Sequence, residues 1–192
     1  MTWQRPLRTA ILLFCILFFI TGIVYPLFVT CVAELAFPSQ AHGSLVRNGS
    51  GAVMGSELIG LPFTGPHYFE GRPSSTPGSP YNATRSGGSN LGPSNPALLV
   101  KVKERIRHLE TLGISGPWPG DLVTSSGSGL DPHLTIDAAL LQVPVVAHAR
   151  GMDEDAVMAL VYQNAVPDPL SQGHPYVNVF ALNRALDEHG VP

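Results

Sequence analysis

Residues 10–33 read AILLFCILFFITGIVYPLFVTCVA, a run of 24 residues without a charged side chain. As an α-helix this run would extend about 36 Å, against roughly 30 Å for the hydrocarbon core of a bilayer. The sequence therefore predicts one transmembrane helix. Gly22 and Pro26 interrupt the run, and proline removes a backbone donor and bends a helix. Such a bend fits packing against another membrane protein, although proline is also commoner in membrane helices in general.

The charges that flank the run predict its orientation. Arg5 and Arg8 precede it, Glu34 follows it, and the next basic residue is Arg47. Because basic residues are retained on the cytoplasmic side of a membrane, the N-terminus is expected in the cytoplasm. This divides the chain into a cytoplasmic tail (1–9), a transmembrane helix (10–33) and an exoplasmic domain (34–192).

A cleaved signal peptide is the alternative interpretation of the same run. The apolar core of a signal peptide spans about 7–15 residues and ends near an A-x-A pattern. The present run is longer, and no such pattern lies at its end. We therefore favour a retained membrane anchor.

The composition excludes several classes of protein. Apolar residues make up 44% of the 192 residues, which is too many for a disordered chain. With 11 Lys plus Arg and a net charge of −3, the chain has no basic face with which to bind nucleic acid. Both cysteines, Cys15 and Cys31, lie in the apolar run, so the remainder can form neither a disulfide framework nor a cysteine-based zinc site.

Local patterns after the apolar run predict a small α+β domain. Two short apolar stretches around Asn48 and Gly49 indicate a β-hairpin over residues 44–56, and residues 57–61 would continue its second strand. Residues 64–96 contain six each of Gly, Pro and Ser. Because a long structureless loop is uncommon in a small domain, we interpret them as an ordered, turn-rich surface.

Four helices are predicted in the later part of the chain. Apolar residues spaced three and four apart mark the inward face of the first helix, namely Leu99, Val102, Ile106 and Leu109. Capping residues set the beginnings and ends, namely Asn95 and Gly113, Thr135 and Gly151, Asp153 and Asn164, and Asn178 and Gly190. Pro144 is expected to kink or restart the second helix.

The sequence contains none of the common catalytic motifs. Lys101 and Lys103 are the only lysines and neither follows a glycine, so a GxxxxGK phosphate-binding loop is absent. The G-x-S-x-G and H-E-x-x-H motifs are absent as well. Seven histidines are scattered without ligand spacing, so no metal site is predicted.

Ser128, Asp131 and His133 are the best local candidates for hydrolytic chemistry. A serine, a carboxylate and an imidazole lie within six residues, which raises the hypothesis of a membrane-anchored exoplasmic hydrolase with Ser128 as nucleophile. The alternative is a polar turn in which Ser and Asp side chains bind backbone N–H groups. Successive Gly and Ser amides in this loop could also form an anion-binding nest.

Three consecutive acidic residues, Asp153, Glu154 and Asp155, lie at the start of the third helix. They could attract cations. Acidic residues at a helix N-terminus mainly complement the helix dipole, and we favour that role.

A series of motifs resembles the C subunit of the Kdp potassium-transporting ATPase, in order over nearly the whole chain. The motifs are VYPL (24–27), GRPS (71–74), YNA (81–83), SGGSNLGPSNP (86–96), SGSGLDPH (126–133) and VNV (177–179). The resemblance implies a small single-pass accessory subunit, not itself an enzyme, of a high-affinity ATP-driven potassium uptake complex.

The resemblance also implies partners. These are a channel-like potassium-translocating subunit, a P-type ATPase subunit that hydrolyses ATP, and the lipid bilayer, with a small single-span subunit as a further candidate. The family is described as needed for assembly and as a catalytic chaperone that raises the ATP affinity of the ATPase subunit. No cofactor is expected to bind tightly, and ATP would be met only through the complex with the ATPase subunit.

If this chain contacts nucleotide, the contact would fall on the Gly/Ser loop and one glutamine. The candidates are Ser126, Gly127, Ser128, Gly129 and Gln142, the loop because its amides could hold phosphate. The predicted topology opposes a direct contact, because Arg5 and Arg8 place residues 34–192 outside the cell, where no ATP is met. Assembly, or gating near the potassium entrance, is therefore the mechanism that the sequence favours.

Overall fold

A computed structural model of the chain describes residues 3–167 and 174–189. The chain divides into two compact units, Met1–Leu45 and Val46–Pro192. Helix dominates the first unit, whereas the second combines helices with short strands. The predicted class, an α+β domain with one N-terminal membrane helix, is confirmed. The predicted domain limits at residues 9 and 33 stay predictions.

The first unit is built on a long helix. It consists of α1 (Gln4–Phe19), a π-helical turn (Ile20–Val24) and α2 (Tyr25–Ala36), and the short helix α3 (Pro38–Ala41) follows. Of the described residues, Gln4–Ala36 is the one helix long and apolar enough to cross a membrane, with a mean hydropathy of 2.6 in its most apolar window.

A π-helical turn interrupts the long helix just before Pro26, and the bend predicted there stays a prediction. Pro26 has no N–H, and its ring would clash with the carbonyl four residues back. The N–H of Tyr25 donates to the carbonyl of Ile20, five residues back, instead of four as in an α-helix. The hydroxyl of Thr21 donates to the carbonyl of Leu17 at 2.8 Å. Single π-turns often mark functional positions in helices.

Among the described residues, the second unit contains six helices and two small sheets, and the first strand begins at Leu45, the last residue of the first unit. Its elements are β1 (Leu45–Arg47), β2 (Val53–Ser56), a 3-10 turn (Ala83–Arg85), α4 (Pro96–Thr111), α5 (Gly120–Val123), β3 (His133–Thr135), α6 (Ile136–Leu140), α7 (Val143–Arg150), α8 (Glu154–Gln163), β4 (Ala165–Val166), β5 (Tyr176–Asn178) and α9 (Val179–His189). One sheet pairs β1 with β2, and the other has the order β3-β5-β4. The second sheet is antiparallel, with Leu134 opposite Val177.

The predicted hairpin is confirmed, but its turn differs from the expected one. The side-chain oxygen of Asn48 accepts hydrogen bonds from the N–H groups of Ser50 and Ala52, and the positive φ of 83° falls on Gly51. The prediction that residues 57–61 continue the strand is wrong. The hydroxyl of Ser56 accepts from the N–H of Leu58 and turns the chain at that point.

The helix boundaries agree with the predicted caps. Side chains of Asn95, Thr135 and Asn178 accept backbone N–H bonds at the starts of α4, α6 and α9. Asp153 precedes α8 without a side-chain capping bond. As predicted, α7 restarts with Pro144 in its first turn. The predicted end at Gly190 lies outside the described residues.

The inward face of α4 differs from the predicted one at its first turn. Leu99 is 58% exposed, and Leu98 lies further inside. The inward face comprises residues 98, 102, 105, 106 and 109, so Val102, Ile106 and Leu109 lie inside as predicted. Arg105 is part of this face because a buried carboxylate lies opposite. The spacing of apolar residues could not predict an arginine on the inward face, because that pattern considers apolar side chains only.

The core lies between α6, α7, α8, α9 and the three-stranded sheet. Its fully buried members include Leu134, Val157, Val177 and Leu182. The irregular segment between β2 and α4 also contributes, because Phe69 is fully buried in the same cluster. This segment, predicted as an ordered surface, therefore reaches the core at Phe69 and brings neighbouring polar residues against the helices.

Candidate functional site

Two buried amide side chains fix the middle of the irregular segment. Gln142 accepts the N–H of Glu70 at 2.9 Å and donates to its carbonyl at 3.1 Å and to the carbonyl of Ala138. Asn183 on α9 accepts the N–H of Phe69 at 2.8 Å and donates to the carbonyl of Phe69 at 2.9 Å. Each amide thus imitates a neighbouring strand and satisfies buried backbone groups.

This places Gln142, one of the predicted nucleotide contacts, in a structural role. Its side chain is 1% exposed, and both its polar atoms are bound within the protein. The sequence indicated Gln142 only as a nucleotide candidate, which stays a prediction, and it gave no role to Asn183. The one available signal for Gln142 was a lone amide within an otherwise apolar helical stretch, whereas Asn183 lies next to Arg184 in a mixed helix and had no such signal.

A partly buried ion cluster lies beside the clamp that the amides of Gln142 and Asn183 form. The carboxylate of Glu70 is 2.6 Å from Nη1 of Arg105 and 2.9 Å from Nε2 of His108. Arg105 also donates to the carbonyls of Gly71 and Leu122. A buried carboxylate is tolerated when its charge is paired and its lone pairs are bonded. The cluster therefore ties the irregular segment to α4.

A second polar cluster contains two of the predicted hydrolase residues. Oδ1 of Asp131 lies 3.1 Å from Nδ1 of His133, and Oδ2 lies 3.0 Å from Nη1 of Arg72. Burial would raise the pKa of Asp131. The hydrogen bonds from His133 and the charge of Arg72 outweigh it and hold that pKa below its usual value of 3.8. The ring of His133 meets Tyr176 edge-on at 4.5 Å.

Ser128 is not bonded to this Asp-His pair. Its hydroxyl accepts the N–H of Leu130 at 3.1 Å and lies 3.3 Å from the hydroxyl of Ser126. Throughout the described chain, no hydrogen bond joins Ser128 to His133. The arrangement fits the polar-turn interpretation, because the serine is engaged with backbone.

The Gly/Ser loop is interlocked with the irregular segment. The carbonyl of Ser128 accepts the N–H of Gly87 at 2.8 Å and the hydroxyl of Ser86 at 3.0 Å. The carbonyl of Gly129 accepts the hydroxyl of Ser74 at 2.7 Å. Ser126 is buried, and its hydroxyl accepts the N–H of Gly129. The two longest motifs of the sequence thus form a single structural unit.

Glycine is required where these two segments meet. Gly129 has a φ of 67°, and a Cβ there would lie 2.6 Å from the carbonyl oxygen of Gly87. A Cβ on Gly88 would lie 3.0 Å from the carbonyl oxygen of Gly127. A Cβ on Gly127, by contrast, would meet no atom within 4 Å, and this residue is exposed. The glycines of this loop therefore differ in their roles.

Tyr81 anchors the YNA motif to the same region. Its hydroxyl donates to the carbonyl of Arg72 at 2.6 Å, and its N–H donates to the hydroxyl of Ser74. These bonds hold Tyr81 at a φ of 55°, which is unfavourable for a tyrosine. Burial raises the pKa of its hydroxyl to about 12, so the group remains a hydrogen-bond donor at neutral pH.

The nucleotide candidates are not brought together by hydrogen bonds. Within the part of the chain that the structure describes, Gln142 bonds to residues 70 and 138, and the Gly/Ser loop bonds to residues 74 and 86–87. Across residues 3–167 and 174–189, no three His, Cys, Asp or Glu side chains form a group that could hold a metal ion.

The long helix is the remaining functional feature. Its side chains are all exposed except that of Ala33, including Cys15 and Cys31, which are free. An apolar surface of this length requires a nonpolar environment. Together, the helix and the hydrogen-bonded domain define a class of protein, namely a small α+β domain carried by a single candidate membrane span.

Comparison with known proteins identifies the family within that class. Residues 7–188 match the family described as K+-transporting ATPase, c chain. The chain is 50% identical over 188 residues to the potassium-transporting ATPase KdpC subunit of Methanosphaerula palustris, covering 97% of this chain and 99% of the relative. It is 49% identical over 185 residues to the subunit of the same name from Geobacter sulfurreducens, covering 96% and 98%.

The chain therefore belongs to the KdpC family of potassium-transporting ATPase subunits. This confirms the resemblance drawn from the motifs. It also confirms the prediction of an accessory subunit rather than an autonomous enzyme.

Proposed function

We propose that this chain is the accessory subunit that inserts its N-terminal helix into the membrane and holds together a Kdp-type potassium uptake complex. Its partners are the potassium-translocating subunit and the P-type ATPase subunit. The observation that carries the proposal is the 33-residue helix Gln4–Ala36, whose most apolar window is not buried at all within its own chain. Such a surface is available to lipid and to the helices of other subunits.

The proposed topology places the N-terminus in the cytoplasm and the domain outside. Arg5 and Arg8 lie at the first turns of the helix, and Glu34 lies near its end. Basic residues are retained on the cytoplasmic side. The domain would then stand at the face of the membrane from which potassium enters.

This topology bears on the chaperone role that the resemblance implies. An exoplasmic domain meets no ATP, so any effect of this subunit on ATP affinity would pass through the partner subunits. The internal hydrogen bonds of Gln142 and of Ser126 support this view, because they leave those side chains with structural partners. We therefore assign the domain to assembly and to positioning over the potassium entrance.

Replacement of the span tests the assembly role. Residues 10–33 are exchanged for an unrelated apolar helix of equal length, with Arg5 and Arg8 kept so that insertion is preserved. We expect the variant to remain in the membrane fraction and to lose its partners on purification in mild detergent. Full retention of the partners would contradict the role assigned to the helix.

Cysteine labelling in intact cells tests the topology. Cys15 and Cys31 are the only cysteines, so Cys15→Ser and Cys31→Ser give a background without thiols. In that background, Ser94→Cys should react with a membrane-impermeant maleimide, because Ser94 is exposed on the domain. Gln4→Cys should react only after the cells are opened. The reverse pattern would overturn the topology.

A further inference from the structure

The middle of the long helix leaves a backbone carbonyl without a donor. In an α-helix the carbonyl of Thr21 would accept the N–H of Tyr25, four residues further on. That N–H donates to Ile20 instead, and the donor for a π-helical bond would be Pro26, which has no N–H. Within the described helix Gln4–Ala36, the carbonyl of Thr21 has thus lost both its α-helical and its π-helical donor.

This carbonyl lies at the centre of the apolar run. Residues 10–33 place eleven residues before Thr21 and eleven after Gly22. The midpoint of such a run falls near the midplane of the bilayer, where no water is present to bind a polar group. An unsatisfied carbonyl is strongly unfavourable there, so the assembled state requires a donor from outside the helix.

The surroundings of the carbonyl leave room for that donor. Gly22 has no side chain, and a Cβ built on it would contact only the ring of Phe18, at 3.8 Å. Both Thr21 and Gly22 are exposed. The hydroxyl of Thr21 donates to the carbonyl of Leu17, so it does not serve the neighbouring carbonyl. A second helix can therefore approach closely at this point.

The need for a hydrogen-bond donor indicates which molecule can lie against the carbonyl of Thr21. Lipid chains carry no hydrogen-bond donor. In a parallel pair of this chain, the donor at the same depth would be the hydroxyl of Thr21, which is already engaged. A side-chain hydroxyl or amide on a transmembrane helix of another subunit supplies what is missing.

We infer that the carbonyl of Thr21, exposed beside Gly22, is the point at which a transmembrane helix of a partner subunit docks, through a hydroxyl or amide side chain that donates to it. The inference rests on the proposed function, because it requires this helix to lie in the bilayer within an assembled complex. Pro26 then has a specific purpose: it removes the donor that would otherwise close the site.

Two substitutions test the docking point in the full complex. Gly22→Leu blocks the close approach, and Pro26→Ala restores an N–H that can satisfy the helix internally. Ala10→Leu is the matched control, since it enlarges a small exposed residue at the start of the run, away from its centre. We expect Gly22→Leu and Pro26→Ala to weaken retention of the partners about three- to twentyfold, the range of an interhelical hydrogen bond in a membrane. Retention equal to that of Ala10→Leu would overturn the inference.

Solid-state NMR tests the hydrogen bond itself. Labelling the Thr carbonyl carbon and the Gly nitrogen marks two bonded pairs, Thr21-Gly22 and Thr64-Gly65, and Thr64→Ser removes the second. The Thr21 carbonyl signal should lie further downfield in the complex than in the chain alone in bilayers. An equal shift in both samples would overturn the inference, since the donor would then be absent, or would be water or a second copy.

The two proposals fail in different ways. If the wild-type chain retains no partner, the proposed function is wrong. If it retains its partners but the Thr21 signal and the two variants behave like their controls, the assembly role stands and the docking point is wrong.

Discussion

Gln142 and Asn183 show how single side chains organise this domain. Each is buried and bonds both the N–H and the carbonyl of one residue in the irregular segment, Glu70 or Phe69. An unsatisfied buried backbone group is costly, so losing either amide affects more than one bond. The segment depends on these residues because it has little regular structure of its own.

Gln142→Ala is expected to destabilise the domain by about 2–4 kcal/mol, because it leaves buried backbone groups of Glu70 unpaired and opens a small cavity. Chemical denaturation of the full chain in detergent, followed by tryptophan fluorescence, measures this. Gln163→Ala is the control, since Gln163 is exposed at the end of α8. Equal stability of the two variants would show that the clamp contributes nothing.

The lowered pKa of Asp131 predicts that the stability of the domain depends on pH. Its folded-state pKa is below 3.8, so the ionised carboxylate stabilises the fold above pH 3.8, and this contribution is lost as the pH falls through the folded-state value. Asp131→Asn should therefore cost about 1–3 kcal/mol at neutral pH, and the difference from wild type should shrink in acid.

Unfolding midpoints of wild type and Asp131→Asn at neutral and acidic pH test this directly. Glu57→Gln serves as control, because Glu57 is exposed. A difference that stays constant down to strongly acidic pH would rule out the ionised Asp131 as its source.

At the scale of elements, the Gly/Ser loop and the irregular segment pack so closely that glycine is required at particular positions. Gly129→Ala should destabilise the domain by about 1–3 kcal/mol, since the residue has a positive φ and its Cβ would overlap a backbone oxygen of Gly87. Gly127→Ala, two residues earlier, has open space around it and should cost less than about 1 kcal/mol. Thermal unfolding of both variants, compared side by side, checks the prediction. A smaller loss at position 129 than at 127 would contradict the packing described.

The acidic start of α8 gives an element-level test of function. Neutralising Asp153, Glu154 and Asp155 together should leave the apparent potassium affinity of the complex within about twofold, because exposed acids at a helix N-terminus mainly interact with its dipole. Potassium-stimulated ATP hydrolysis measures that affinity. A large loss in a folded, assembled variant would mean that these residues concentrate potassium.

The sequence predicted the elements better than their contacts. Caps such as Asn95 and Asn178 are local signals, so the helices could be located. The inward position of Arg105 and the clamp by Gln142 depend on segments distant in sequence, and no local spacing reports them. An interruption of the helix near Pro26 was predictable, but its π-helical form depends on which carbonyl each N–H reaches.

The candidate site was predictable only in part. Asp131 and His133 are two residues apart in the sequence, so their contact is a local one. The orientation of Ser128 towards backbone groups depends on the adjoining segment at residues 86 and 87. The Gly/Ser loop was recognisable as a motif, whereas its partner in the fold was not.

At the scale of the whole molecule, the proposed topology predicts the effect of the loop on ATP affinity. Ser128→Ala should leave the KM for ATP of the assembled complex within about twofold, because an exoplasmic serine cannot contact nucleotide. Ser94→Ala, on another exposed surface, is the matched control. A KM raised tenfold by Ser128→Ala alone, with assembly intact, would favour a direct nucleotide contact over the topology.

The most direct test of the central claim is purification of the tagged full-length chain from its native membranes in mild detergent, under potassium starvation. Mass spectrometry then identifies what stays bound. We expect a multi-span potassium-translocating subunit together with a P-type ATPase subunit. Recovery of the chain alone, from membranes shown to contain both partners, would contradict the account.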